Sequence, residues 1–196
     1  MSFFYQFSSS LNKTQVTSML YYIHGYQSSP SGEKATLLKE KLQAIPISYR
    51  EGSPEELVIS ECLSRISAAI AHDQQVILIG SSLGGFLAAS TALTHPTVKQ
   101  LILLNPAIIP PEQDLTTIKD VPLRILQDMK DPRLFQQKIP AAITILRGTL
   151  DDVVPDEWVL CFAQAQNATI QLYNDDHRFS KNLYRLPEII SELTQQ

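Results

Sequence analysis

Gly80-Ser81-Ser82-Leu83-Gly84 lies between the apolar run Val76-Ile77-Leu78-Ile79 and the small-residue stretch Gly85-Phe86-Leu87-Ala88-Ala89. A serine with glycine two residues away on either side, at the junction of a strand and a helix, reads as a nucleophile elbow. This is a sharp turn with strained torsions that lifts the hydroxyl off the end of a sheet. The flanking positions must be nearly free of side chain, because the turn presses them against the neighbouring strand and helix. Gly80 and Gly84 meet that demand for Ser82, whereas centring the motif on Ser81 would require glycine where Ile79 and Leu83 stand. The chemistry open to such a serine is attack on a carbonyl carbon.

A serine hydroxyl is a poor nucleophile at neutral pH, so it needs a base within hydrogen-bond reach and an acid to orient that base. The chain has four histidines. In doubly wound hydrolases the chain order is serine, acid, histidine, and only His177 lies beyond a plausible acid loop. It sits in the polar turn Asn174-Asp175-Asp176-His177-Arg178-Phe179. His72 and His95, near helix ends, read as structural or surface residues. The acid should leave a loop after a neighbouring strand, and Arg147-Gly148-Thr149-Leu150-Asp151-Asp152-Val153-Val154-Pro155 supplies two adjacent carboxylates. Adjacent side chains in a turn cannot both face one imidazole, and spacing does not choose between Asp151 and Asp152. The other carboxylate suits a helix cap. Asp175 and Asp176, too close to His177 in sequence to orient it, read as loop or capping residues.

These groups need a sheet to hold them. From Leu20 onward, short apolar runs alternate with longer amphipathic ones, the signature of βα units and a parallel sheet. Strands are expected at Leu20–Ile23, Ile45–Ser48, Val76–Ile79, Leu101–Leu104, Ile143–Leu146 and Ala168–Leu172. Helices are expected at about 33–43, 53–71, 82–94, 156–165 and 181–193. The second helix should be capped by Ser53, with Pro54 at its first position and acids following. Between Pro106 and Pro140 the alternation stops, and half of the twelve prolines fall there. That length predicts a small cap with one or two short helices over the sheet's end. Residues 1–18 are polar and aperiodic, giving a loosely attached arm or an edge strand. The remainder, 19–196, reads as one domain, in keeping with a chain of 196 residues.

Three stretches then carry a family resemblance: Tyr22-Ile23-His24-Gly25-Tyr26 with Ser28-Ser29-Pro30 and Lys34; Gly80-Ser81-Ser82-Leu83-Gly84-Gly85; and Gly148-Thr149-Leu150-Asp151-Asp152-Val153-Val154-Pro155 with His177. On these the chain resembles α/β-hydrolases, and within them the compact YqiA-type esterases. The resemblance implies a three-layer α/β-hydrolase fold, with a mostly parallel sheet, helices on both faces and a small cap. It also implies that the acid is the first aspartate of the Gly-x-x-Asp-x-x-Val-Pro pattern, which is Asp151. The His24-Gly25-Tyr26 turn would supply half of an oxyanion hole, its two donors being the backbone N–H groups of Tyr26 and Leu83. His24 would then shape the loop and not act as base.

The expected activity is serine carboxylesterase hydrolysis of small or medium acyl esters through an acyl-enzyme. Acyl thioesterase is the alternative, and a non-catalytic module on the same fold is the reading of another class. An acyl-CoA thioesterase would want cations at the mouth, for which Lys34, Arg133, Lys138 and Arg178 are candidates. No metal or organic cofactor is signalled. A net charge of -4 with no basic stripe argues against nucleic acid, and no apolar run approaches the roughly 18 residues of a membrane span. The first residues lack the pattern of a secretory signal, so a cytoplasmic location is expected. Cys62 and Cys161, far apart in sequence, read as two buried thiols.

Overall fold

A computed structural model of the protein describes residues 18–195. Six strands form one sheet: β1 (Met19–Ile23), β2 (Ile45–Pro46), β3 (Val76–Ser81), β4 (Val98–Leu104), β5 (Ala142–Gly148) and β6 (Thr169–Tyr173), in the order β2-β1-β3-β4-β5-β6. Every neighbouring pair is parallel. The central strands can be near-continuous apolar runs because helices cover both faces; all of β3 is buried. The chain steps outward from β1 to β2, then returns past β1 to β3 and continues the other way. The switch point therefore falls between the carboxyl ends of β1 and β3, where ligands of open α/β sheets bind.

The helices are α1 (Glu33–Leu42), α2 (Ile59–Ile70), α3 (Leu83–Ala92), α4 (Leu123–Met129), α5 (Arg133–Gln136), α6 (Asp156–Gln166) and α7 (Leu186–Thr194). Two cores result. One packs α2, α3 and α6 against Tyr21, Ile23, Leu78, Leu101 and Ile145. On the opposite face, α1 and α7 pack against Tyr22, Ile79, Ile102 and Leu146. The alternation along each strand thus divides its side chains between the layers. All ten residues of α3 are buried, as expected of a helix apolar on every side.

Three local expectations need correction. The continuous helix over 53–71 is broken: Pro54–Glu56 forms a single 3-10 turn, Ser53 makes no side-chain cap, and α2 begins at Ile59. The cause is tertiary. Leu57 is buried in the core, and Arg124 from α4 takes the Leu57 carbonyl, and the Glu55 carbonyl as well, that a helix would have used. Cys161 is exposed on α6, so only Cys62 is a buried thiol. The closing helix opens with a 3-10 turn, Leu183–Arg185, before α7.

Residues 106–140 carry the two short helices α4 and α5 plus a 3-10 turn at Leu115–Thr117. Ile125, Leu126, Met129 and Leu134 of this segment join the first core. The arm expected over 1–18 lies outside the described residues except for Ser18, whose hydroxyl donates to Gln75 Oε1 at 3.2 Å. No helix among the described residues is long and apolar enough to cross a membrane.

Candidate active site

β3 ends at Ser81 and α3 begins at Leu83, leaving Ser82 alone at the turn with φ 54° and ψ -119°. A positive φ is uncommon for a residue with a side chain and costs on the order of 1–3 kcal/mol. Backbone bonds hold it there. Ser82 N–H donates to the Leu104 carbonyl at 3.0 Å, while the Ser82 carbonyl accepts from Gly85 N–H at 2.8 Å and Ala107 N–H at 3.1 Å. A Cβ on Gly80 would collide with the Gly84 carbonyl, and one on Gly84 would come within 2.7 Å of the His24 carbonyl oxygen. Close approach of β1, elbow and helix therefore requires both glycines.

The turn after β1 stands over the hydroxyl: a Cβ built on Gly25 would lie 3.9 Å from Ser82 Oγ. Leu83 N–H heads α3, where the first amides of a helix have no internal acceptor. Among the described residues, neither it nor Tyr26 N–H donates to a backbone carbonyl. His24 lies beneath this turn, 1% exposed and stacked on Tyr49 with ring centroids 4.3 Å apart. Its Nδ1 is 2.8 Å from the Gly25 carbonyl oxygen. Burial, reinforced by the charge of Arg50 and opposed by the Gly25 bond, lowers His24 to about 4, so it is neutral at ordinary pH. The Tyr49 hydroxyl donates to the His24 carbonyl at 3.1 Å, tying the turn to the strand edge.

At the far side of the same sheet end, His177 Nδ1 meets Asp151 Oδ2 at 3.0 Å. The imidazole is 17% exposed and the carboxylate fully buried. Asp151 Oδ1 accepts from Val153 N–H at 2.9 Å and Val154 N–H at 3.0 Å. Burial by itself would raise the Asp151 carboxyl; the bonds from His177, Val154 and Val153 outweigh it and hold the group below its ordinary 3.8. Asp152 is exposed beside it. Asp175 is buried and spends its carboxylate on Asp176, Lys181 and Asn182, bracing the loop that carries His177. Asp176 likewise accepts from Arg178 and Ser180 N–H. Among the described residues, Ser82 and His177 share no direct hydrogen bond; the structure joins His177 to Asp151 and leaves the hydroxyl of Ser82 unpaired.

Two residues of this centre escaped the reading of the sequence. Arg147, 4% exposed, donates to Asp151 Oδ2, to Asp156 Oδ1 at 2.8 Å and to the Val154 carbonyl at 2.7 Å. Asn105, fully buried at φ 43°, accepts from Gly148 N–H at 2.9 Å and donates to the carbonyls of Asp176 and His177, both at 3.1 Å. Each left a signal. Arg147 is a charge inside an apolar strand, and a buried charge demands a partner. Asn105 closes an apolar strand before Pro106, and asparagine is enriched at positive φ. Of the four cations considered for the mouth, Lys34 is bound to the Arg178 carbonyl, Arg133 to Asp131, and Lys138 to the Ala165 carbonyl.

A six-stranded parallel sheet with this elbow at its switch point is the α/β-hydrolase fold, and solved structures of that fold superpose over nearly the whole chain. Est1E from Butyrivibrio proteoclasticus, with ferulic acid bound, matches at TM-score 0.75 and 17% identity, covering 94% of this chain and 91% of its own. Alpha/beta hydrolase domain-containing protein 10 from mouse matches at TM-score 0.70 and 22% identity, covering 91% and 90%. The esterase domain of a Rhodothermus marinus protein matches at 0.65 and 16%, covering 93% and 88%. The chain itself belongs to the family described as Uncharacterised protein family (UPF0227), whose model matches residues 19–194.

Proposed function

We propose that the protein is a serine carboxylesterase acting on small or medium acyl esters. The observation that carries this reading is the His177–Asp151 contact at the same sheet end as the strained Ser82 elbow. In this reading Ser82 Oγ attacks the ester carbonyl while His177 Nε2 takes its proton. Asp151, bonded to Nδ1, fixes the tautomer and stabilises the imidazolium that forms. The carbonyl oxygen becomes an oxyanion facing the N–H groups of Tyr26 and Leu83, a pair of donors each worth about 3–4 kcal/mol in such sites. The C–O bond to the alcohol then breaks, and His177 returns the proton to the departing alkoxide. A water molecule, deprotonated by the same nitrogen, attacks the acyl-enzyme; the C–Oγ bond breaks, His177 returns the proton to Ser82 Oγ, and the carboxylic acid leaves.

Of the four cations considered for an acyl-CoA mouth, Arg133 is paired with Asp131, while Lys34 and Lys138 bond to backbone carbonyls and keep their charge, so an acyl thioester is the second substrate class to test. The Ser82 elbow at the switch point, with the His177–Asp151 pair at the same end of the sheet, speaks against a non-catalytic module. The test is hydrolysis of a series of p-nitrophenyl esters by the wild type and by Ser82→Ala. The expected result is turnover of short and medium chains by the wild type and its loss in the variant. Equal turnover by both would refute the reading.

A further inference from the structure

Among the described residues Ser82 and His177 share no hydrogen bond, yet both are bonded to one four-residue segment, Leu104-Asn105-Pro106-Ala107. Its backbone faces the elbow: the Leu104 carbonyl accepts from Ser82 N–H, and Ala107 N–H donates to the Ser82 carbonyl. Its one polar side chain faces the other way. Asn105 Nδ2 donates to the Asp176 and His177 carbonyls while Oδ1 accepts from Gly148 N–H and, at 3.4 Å, from Arg147. The opposite amide orientation would set donor against donor and acceptor against acceptor, so the polarity of this bridge is fixed. Its positive φ turns the chain at that point, and Asn105 N–H donates to the Leu146 carbonyl at 3.0 Å, locking β4 to β5 under the bridge.

From this geometry we infer that Asn105 is a positioning residue: it sets the separation of Ser82 and His177 by holding the backbone carbonyl of His177 itself. The inference rests on the esterase reading for its kinetic consequence but not for its structural one. Misplacing a base by about an ångström costs on the order of a hundredfold in rate. Asn105→Asp keeps the shape and the acceptor toward Gly148 and Arg147, but turns the donor facing two carbonyls into an acceptor. Asn105→Gly tolerates the positive φ and removes the bridge entirely, which serves if the aspartate variant does not fold.

A matched control exists elsewhere. Gln166 is a buried amide that donates to the Leu134 and Gln137 carbonyls and accepts from Ile139 N–H, on the α5 and α6 side of the core. Gln166→Glu therefore inflicts the same chemical insult away from His177. Two readouts are needed: kcat and KM on a p-nitrophenyl ester, and proton NMR of the His177 Nδ1–H that faces Asp151.

Asn105→Asp or Asn105→Gly should lower kcat by about a hundredfold with KM little changed. Either should also make the Nδ1 proton exchange with solvent at least about tenfold faster. Gln166→Glu should change neither below its melting temperature. Unchanged exchange in both Asn105 variants, or equal loosening in Gln166→Glu, overturns the inference. Loosening confined to Asn105 variants of a protein that hydrolyses no ester would uphold the positioning role and refute the esterase.

Discussion

The turn after β1 and the turn after β6 each present a histidine at the carboxyl end of the sheet, and they treat it in opposite ways. His24 is sealed under its turn, stacked on Tyr49, bonded to a backbone carbonyl and lowered to about 4. His177 sits at the surface of its turn with a buried carboxylate behind it. An imidazole shuttles protons only if its charged form has a partner and its free nitrogen an opening. The first turn denies both, and its histidine braces the turn through the Gly25 carbonyl and the Tyr49 hydroxyl. The second sets its histidine against Asp151 from the loop after β5, a carboxylate stabilised in turn by Arg147 and two backbone N–H groups.

The sharpest way to break this contrast is Asp151→Asn, which leaves the imidazole in place but favours the wrong tautomer. Steady-state kinetics should show kcat down by about ten-thousandfold. A small effect would mean that the second turn is no more catalytic than the first. Next in size is Arg147→Met. Removing one partner of a buried ion pair typically costs about 3–5 kcal/mol, so urea unfolding at neutral pH should register a loss of that order. A loss below about 1 kcal/mol would show Asp151 to be self-sufficient.

The first turn is probed through pH. His24 is about 4 in the folded state against 6.5 for the ordinary group, so the unfolded chain binds the extra proton between those values. Stability from this site is complete above about pH 6.5 and falls as the pH drops toward 4, by about 3 kcal/mol in all. Asp151 and Asp175, both held below 3.8, add their own loss only at lower pH. Denaturant titrations from pH 7 to 4 should therefore slope steeply in the wild type and flatten in His24→Gln. An unchanged slope would place the pH sensitivity elsewhere. The smallest effect is expected of Asp152→Asn, within about twofold in kcat, since Asp152 is exposed while Asp151 holds His177.

What was legible in the sequence was what local sterics dictate. Gly80 and Gly84 mark an elbow around Ser82 because no residue with a side chain fits their contacts, and the apolar runs mark the strands they become. The helix break at Leu57 and Val58 was not legible, because its cause is Arg124, which is 67 residues away from Leu57 in sequence. Asn105 likewise acts through partners more than forty residues further on, Gly148, Asp176 and His177, which only the assembled sheet brings to it. The choice between Asp151 and Asp152 stayed open on spacing, since it depends on which side of a turn faces a loop more than twenty residues further on.

We propose that the turn after β6, and not the turn after β1, activates Ser82. Labelling with a fluorophosphonate probe followed by peptide mapping tests it directly. The wild type should carry the label on Ser82, His24→Gln should label at a rate within about tenfold of it, and His177→Ala should label thousands of times more slowly. Label on another residue, or undiminished labelling of Ser82 in His177→Ala, would contradict the account.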